Sequence, residues 1–320
     1  MKKVIIFGGC GFLGAWLAKT LLNKFVINIF DKSINKKLLI KLLGKDVCKI
    51  NFIEGDITDI EVVCKAVKNM DCIVNLAGLM TPDCSKDPIL GAKVNILGSI
   101  NIFESIRNTN IKSLVYSSSA GVFGPDSKIY PIPQTHYGAY KLAVEGVARS
   151  YYNELGISSV GLRPFVIYGP GREIGRTASL SLACMAAKNN YTHEILFSGS
   201  AGFVYVEDVT YLIEKSLRKA PKGANIINVN GITASVNKFV EIINKYHSVS
   251  KISIKGENLE VDRILENKPS DYFSEFKYTS LEDGIKRTID FYWNLERKNM
   301  PVNFSANTKG IFFIIAAILC

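Results

Sequence analysis

Tyr137 and Lys141 stand four residues apart at the start of a helical pattern that runs to Leu155, so their side chains share one helix face. A tyrosine is a poor proton carrier at neutral pH because its pKa lies near 10, and a cation one turn away stabilises the phenolate and lowers that value. The pair is a candidate proton shuttle, with Tyr137 carrying the proton and Lys141 tuning it. Upstream, Ser117-Ser118-Ser119 closes an apolar stretch, Ile111 to Tyr116, that reads as a strand. A hydroxyl at that strand end can hydrogen-bond the same substrate oxygen as the tyrosine, and Ser119 is placed for it. Alone, a Tyr/Lys pair at this spacing is an ordinary feature of an amphipathic helix, so the elements that hold it must carry the case.

The first of these elements is the opening of the chain. Val4 to Phe7 is a short apolar run that ends in Gly8-Gly9-Cys10-Gly11-Phe12-Leu13-Gly14 and continues with helical periodicity from Ala15 to Leu22. Strand, glycine turn and helix in that order form the opening unit of a dinucleotide-binding fold. One glycine permits the turn, one lets a phosphate reach the backbone, and one lets the helix pack closely on the strand. Gly9, Gly11 and Gly14 fit one template, and Gly8, Gly11 and Gly14 fit another. Lys2 and Lys3 before an apolar run also resemble an export leader, but four glycines within seven residues and Lys19 break such a segment.

The next apolar run, Phe25 to Phe30, ends in Asp31, 17 residues beyond Gly14. An acid at the tip of a second strand accepts hydrogen bonds from the adenosine ribose and repels a 2′-phosphate, so it selects NAD over NADP. Lys32 weakens this only slightly, and Lys36 and Lys37 fall in the following helix. Ile50 to Ile53 reads as a third strand whose end loop carries Asp56 and Ile57, placed to hold an adenine edge. Asp59 is placed to cap the helix Ile60 to Val67. Cys72 to Leu76 is a fourth strand, closed by Asn75-Leu76-Ala77-Gly78, whose small residues let a cofactor lie against the backbone. A helix follows from Ile89 to Arg107. The alternation implies an α/β fold with a Rossmann-type, doubly wound parallel sheet, its ligands at the carboxyl ends of the strands.

Residues 1–160 are read as the NAD-binding domain carrying the catalytic residues. Residues 161–295 form a smaller C-terminal, mainly substrate-binding portion, partly interleaved with the sheet. Val160 to Arg163 is a further strand ended by Pro164, and Tyr168-Gly169-Pro170-Gly171-Arg172 is rich in turn residues. Residues 296–320 are a basic linker and an apolar run, with Arg297, Lys298 and Lys309 preceding Ile311 to Cys320. Ten apolar residues are too few to cross a bilayer, which takes about 20. They could rest in the interface beside anionic lipid, dock on the protein, or fray.

Of the 320 residues, 48% are hydrophobic and 21% charged, which with no repeat or low-complexity segment excludes a disordered chain. The seven cysteines, at 10, 48, 64, 72, 84, 184 and 320, form no C-x-x-C pair and are expected as reduced thiols in a cytosol. His136, His193 and His247 fit no metal-ligand spacing with them, so no metal is expected. A formal charge of +10 favours an anionic substrate or surface, but without a basic run it does not point to nucleic acid.

In register along residues 1 to 293, these features resemble the NAD-dependent epimerase/dehydratase family of extended short-chain dehydrogenases/reductases, the group that includes UDP-galactose 4-epimerase. The resemblance rests on the glycine loop, Asp31, Gly55-Asp56, Asn75-Leu76-Ala77-Gly78, Ser117-Ser118-Ser119, Tyr137/Lys141 and Arg163-Pro164 with Tyr168-Gly169-Pro170-Gly171. Tyr205-Val206-Glu207-Asp208-Val209 and Ser280-Leu281-Glu282-Asp283-Gly284 extend it. It implies that Ser119 and Tyr137 are catalytic and touch substrate, and that Lys141 positions the nicotinamide ribose. It also implies that Phe12, Leu13, Ser117 and Pro164 border the cofactor, and that a homodimer forms through the helices at 89–107 and 137–155. Dehydratases of this group carry an acidic pair after the strand-end hydroxyl. Here Ser119-Ala120-Gly121 lacks it, as in the epimerases. Two departures concern the substrate diphosphate: Val166 replaces an asparagine that touches it, and Ala201-Gly202-Phe203 replaces an Arg-Asp-aromatic clamp. Val166 and Arg172 are nonetheless expected beside the substrate, with Arg172, Arg176 or a lysine replacing the clamp. The expectation is an NAD-dependent epimerase of a nucleotide-linked or lipid-linked sugar, serving surface-polysaccharide assembly in the cytoplasm or at the inner membrane face. A net oxidoreductase of a sugar, sterol or other secondary alcohol is the alternative, and a non-catalytic dinucleotide-binding protein is another.

Overall fold

A computed structural model describes residues 1–107, 109–111, 113–124, 130–189, 191–247, 251–258 and 268–299. The N-terminal half alternates strands and helices: β1 (Lys3–Phe7), α1 (Phe12–Leu21), β2 (Val26–Asp31), α2 (Lys37–Leu43), β3 (Asn51–Glu54), α3 (Ile60–Val67) and β4 (Cys72–Asn75). There follow α4 (Thr81–Lys86), α5 (Pro88–Ala92), α6 (Gly98–Ile106), β5 (Ser113–Ser117), α7 (His136–Leu155) and β6 (Ser159–Pro164). A π-helical turn, Lys93–Leu97, joins α5 to α6, so residues 88–106 form one helical run with a bulge in its middle.

The second half contains β7 (Val166–Tyr168), α8 (Ser179–Lys188), β8 (His193–Ile195), β9 (Ser200–Tyr205), α9 (Val206–Lys219) and β10 (Ala224–Val229). It continues with β11 (Ile232–Ser235), α10 (Val236–Tyr246), β12 (Ile252–Ile254), α11 (Pro269–Tyr272) and α12 (Leu281–Asn299). Seven strands pair in parallel in the order β10-β6-β5-β4-β1-β2-β3. The chain winds outward from β1 in both directions, which opens a crevice beyond the carboxyl ends of β1 and β4.

Strand β1 shows why the sheet is covered on both sides. Val4 and Ile6 pack with Ala15, Leu17 and Leu39 of α1 and α2 and with Leu212 of α9. Ile5 and Phe7 point the other way, to Val63, Ile102 and Val144 of α3, α6 and α7. Period-two alternation with apolar residues at every position makes a strand buried on both faces. A third core fills the smaller portion, where Trp16 meets Tyr168, Leu180, Phe203, Phe239 and Ile285 around the β11-β9-β7 sheet.

The chain boundary read near residue 160 lies inside β6, and the second half returns α9 and β10 to the large sheet. Residues 300–320, with Lys309 and the apolar run Ile311 to Cys320, lie outside the described residues. The six described cysteines are unpaired.

Candidate functional site

The glycine loop is built by contacts that no side chain would survive. Gly8 has φ +74°, and a Cβ there would lie 2.7 Å from Ala77 N and 2.8 Å from the Leu76 carbonyl carbon, so the ends of β1 and β4 touch at this point. A Cβ on Gly14 would meet Gly8 O and Gly9 Cα at 2.5 Å, which sets the close approach of α1 to the turn. Gly11 caps α1 through its backbone, its carbonyl accepting from Ala15 N at 2.9 Å, and the first turn holds no acidic side chain or side-chain cap. Partly buried Phe12 and Leu13 flank this open helix start, whose free N–H groups fit a diphosphate.

Asp31 ends β2, and its Oδ2 accepts from Cys10 N at 2.9 Å, which fixes the carboxylate at the lip of the loop. Burial, and then the charge of Asp31, push the Cys10 thiol up to about 11. Lys32 turns away to Asp56, donating to Oδ2 at 2.9 Å. Asp56 Oδ1 accepts from Thr58 N at 2.9 Å and Thr58 Oγ1 at 2.8 Å, and these bonds with Lys32 hold the carboxyl down at about 2. Any contact of Asp56 with an adenine edge must share oxygens already engaged. Ile57 is buried beneath Gly98, and its carbonyl accepts from Asn101 Nδ2 at 2.9 Å. Asp59 caps α3 as its type predicts, accepting from Glu61 N and Val62 N.

The chemical residues meet where α7 starts. Thr135 caps this helix by accepting from Gly138 N at 3.0 Å, and Gly138 lies so close to the Gly121 carbonyl that no Cβ fits. That approach brings Tyr137 to the end of β5, where its ring and Ser119 Oγ both lie against Gly121. Ser119 Oγ also accepts from Gly121 N at 3.0 Å. Lys141 Nζ donates to Ser117 O at 2.7 Å and stands 5.7 Å from the centroid of the Tyr137 ring.

The electrostatics differ from the sequence expectation. Burial pushes Tyr137 up, opposed by the Ser119 hydrogen bond and the charge of Arg172. Burial also pushes Lys141 down to about 8. Both groups share one desolvated pocket, which disfavours the charged form of each, so Lys141 does not act on Tyr137 as a plain cation one turn away.

Two residues complete the pocket. Arg172 leaves the loop after Gly171, its guanidinium carbon 5.6 Å from the Phe12 ring centroid, and its Nε is buried with no partner among the described residues. A cation so placed, between the glycine loop and Tyr137, fits a negatively charged ligand group. The loop itself is pinned: Trp16 Nε1 donates to Pro170 O at 2.8 Å, and Gly171 N donates to Tyr292 OH at 2.9 Å.

Asn95 is the residue that sequence reasoning missed. It sits in the π turn, fully buried, with Nδ2 donating to Gly91 O at 3.0 Å and Leu79 O at 3.2 Å, while Oδ1 has no partner among the described residues. A Cβ on Gly78 would lie 2.5 Å from Asn95 Oδ1 and 3.5 Å from Lys141 Nζ, so both polar groups converge on Gly78. The available signal was an asparagine inside an apolar helical pattern, one of two in that run, and such bulges recur at functional sites.

Other predicted residues fall elsewhere. Val166 is 5% exposed in β7, packed with Trp16 and Phe203 in the smaller core, so its side chain is structural rather than turned to the pocket. Ala201 and Phe203 belong to that core as well, because alternate residues of β9 face inward. Pro164 is buried at the end of β6, and Phe165 N donates to Val229 O there. The Arg176 side chain lies outside what is described.

Behind the pocket lies a buried ion pair. Glu145, one turn after Lys141, accepts from Arg163 Nε at 2.7 Å through Oε1 and from Arg163 NH2 at 2.5 Å through Oε2. Ser118 Oγ donates to the same Oε1 at 2.5 Å. The pair ties α7 to β6 and to the serine run between the two catalytic candidates.

The model of the family described as NAD dependent epimerase/dehydratase matches residues 4–230. The chain belongs to that family. This family member is 26% identical to a putative UDP-glucose 4-epimerase of Methanocaldococcus jannaschii over 92% of its own length and 99% of the relative's. It is 29% identical to a Candida albicans sterol-4-alpha-carboxylate 3-dehydrogenase (decarboxylating), over 72% of this chain and 71% of that one. To the N-acetyl-alpha-D-glucosaminyl-diphospho-ditrans,octacis-undecaprenol 4-epimerase of Escherichia coli O157:H7 it is 25% identical, over 71% and 66%. The fold matches the Thermus thermophilus UDP-glucose 4-epimerase in complex with NAD, with TM-score 0.76 and 22% identity over 91% and 99% of the two chains. The cofactor of the family is NAD. The open start of α1, the Gly8 and Gly14 contacts that keep side chains out, and Asp31 at the lip of the loop fit that dinucleotide.

Proposed function

We propose that the protein is an NAD-dependent epimerase acting on a sugar carried by a diphosphate. The observation that carries this reading is the convergence of Ser119, Tyr137, Lys141 and Arg172 beside the glycine loop, with no acidic pair after Ser119. NAD, when bound against that loop, supplies reversible hydride acceptance at the sugar carbinol carbon. Tyr137 takes the proton of the reacting hydroxyl, and Ser119, hydrogen-bonded to Tyr137, holds the same oxygen. Lys141 and Asn95, converging on Gly78, position the cofactor ribose and Tyr137. Arg172 pairs with the anionic part of the substrate and takes up the work of the arginine absent at Ala201. A keto sugar turned over in this pocket and reduced on its other face leaves as the epimer, and its proton returns from Tyr137.

The carrier is a nucleotide in the reading favoured by the full-length match to a UDP-glucose 4-epimerase. The undecaprenol-linked relative supports a lipid diphosphate as the second reading, and either would serve surface-polysaccharide assembly at the cytoplasmic side of a membrane. The sterol dehydrogenase relative favours net oxidation as the competing chemistry. Incubation with UDP-, GDP- and dTDP-sugars and with undecaprenyl-diphosphate sugars, products read by NMR and NADH by absorbance, separates these. Epimer without NADH release supports the proposal, while stoichiometric NADH sinks it. We propose a homodimer through the outer face of α5, α6 and α7, where Ile89, Leu90 and Leu97 are exposed. Light scattering that gives the mass of one chain would refute it.

A further inference from the structure

The outward face of α2 is basic and apolar at once. Lys37, Ile40 and Lys41 repeat at helical spacing on the side opposite buried Leu39 and Leu43, and Lys45 follows beyond the helix end. Ile40 is 53% exposed. From Lys36 to Lys45 there is no acidic residue, although a merely solvated helix face commonly intersperses the two signs. Neither Lys37 nor Lys41 has an ion-pair partner among the described residues.

Two further parts of the chain pack against the flank of α2 at Leu38 or pass beside it. Gly171 lies under Leu38, since a Cβ on it would be 2.5 Å from Leu38 Cδ1, and the same loop carries Ile174, 78% exposed. Gly171 N also donates to Tyr292 OH, so α12 passes here, and its end at Asn299 is about 10 Å of helix farther on. The sequence beyond Glu296 contains Arg297, Lys298 and Lys309, no acidic residue, and then the ten apolar residues 311–320.

We propose that the face formed by Lys37, Ile40, Lys41, Lys45 and the Ile174 loop docks on an anionic membrane surface. The occupant follows from charge. Unpaired lysines around an exposed isoleucine complement anionic headgroups over an apolar layer. This goes beyond the catalytic reading and is measured without substrate.

The test is the binding of the full chain to vesicles of phosphatidylcholine, alone or mixed with phosphatidylglycerol, by flotation. The wild type should bind only the mixed vesicles, and more weakly as salt rises. A lysine at an anionic surface is worth roughly fivefold in affinity, so K37Q/K41Q should bind about 30-fold more weakly. K65Q/K68Q removes the same charge from α3 and the residue that ends it, on the opposite layer of the sheet, and should stay within about threefold of wild type. Thermal melting of both pairs at the wild-type temperature excludes misfolding, because all four side chains are exposed. Equal weakening by the two pairs, failure of the wild type to bind the mixed vesicles, or self-association in place of vesicle binding would overturn the assignment.

Discussion

Glu145 and Arg163 are the place where one substitution should cost most. Glu145 is 2% exposed and Arg163 9%, and they share two hydrogen bonds, so removing either leaves the other buried without its counter-charge. Breaking such a pair costs about 3–5 kcal/mol. For a chain of 320 residues each kcal/mol moves the melting temperature by roughly 1.5 °C, so Arg163→Met should melt about 4–8 °C below wild type. Glu145→Met should do the same, because Ser118 also loses its acceptor. Combining the two removes the isolated charge, so Glu145→Met/Arg163→Met should be destabilised by clearly less than the sum of the singles. Scanning calorimetry of the four proteins at fixed NAD concentration reads this directly. Additive losses, or single variants melting within about 2 °C of wild type, would refute the reasoning.

Other outcomes follow from the pocket. Tyr137→Phe should lower turnover by about 10² to 10⁴ with NAD still bound, read by steady-state kinetics beside calorimetric titration. Asp31→Ala should narrow the preference for NAD over NADP in the same titration, and tighter NADP binding by the wild type would remove the role given to Asp31. Gly14→Ala drives a methyl into the Gly8 carbonyl and Gly9, and should abolish NAD binding even where circular dichroism shows a folded chain. Lys141 titrates at about 8 when folded against an ordinary 10.5, so the unfolded chain binds that proton more tightly. The stability of the cofactor-free protein should therefore rise from about pH 8 to 10.5, and Lys141→Met should flatten that rise in denaturant titrations.

The pieces legible in the sequence are those whose signal is local. The glycine turn, Asp31 at a strand end, the Asp59 cap and the Tyr137/Lys141 spacing each depend on neighbours within a turn or two, and the backbone follows them. What escaped depends on partners distant in sequence. Asn95 gains meaning only because the π turn carries it to Gly78 and Lys141; Arg172 is legible in the sequence, but what fixes its loop, Trp16 and Tyr292 holding Pro170 and Gly171, is not. Val166 is expected beside the substrate because, by the family resemblance, it stands where an asparagine touches the diphosphate. The side to which a three-residue strand turns its side chains is set by the sheet it joins, and here that sheet turns Val166 inward. The tuning of Tyr137 was misjudged because spacing gives proximity but not dielectric, and burial decided the sign.

The anchoring of the Gly169–Arg172 loop has a consequence for engineering. Its carbonyl at Pro170 is held by the first helix, its Gly171 face is covered by Leu38 of the second, and its Gly171 amide is held by the last. A chimera that grafts residues 161–295 onto a foreign dinucleotide-binding half would bring the loop without Trp16 or Leu38. Specificity in this chain is therefore not a detachable module: exchanging it requires the recipient to carry an indole and a leucine at those two positions.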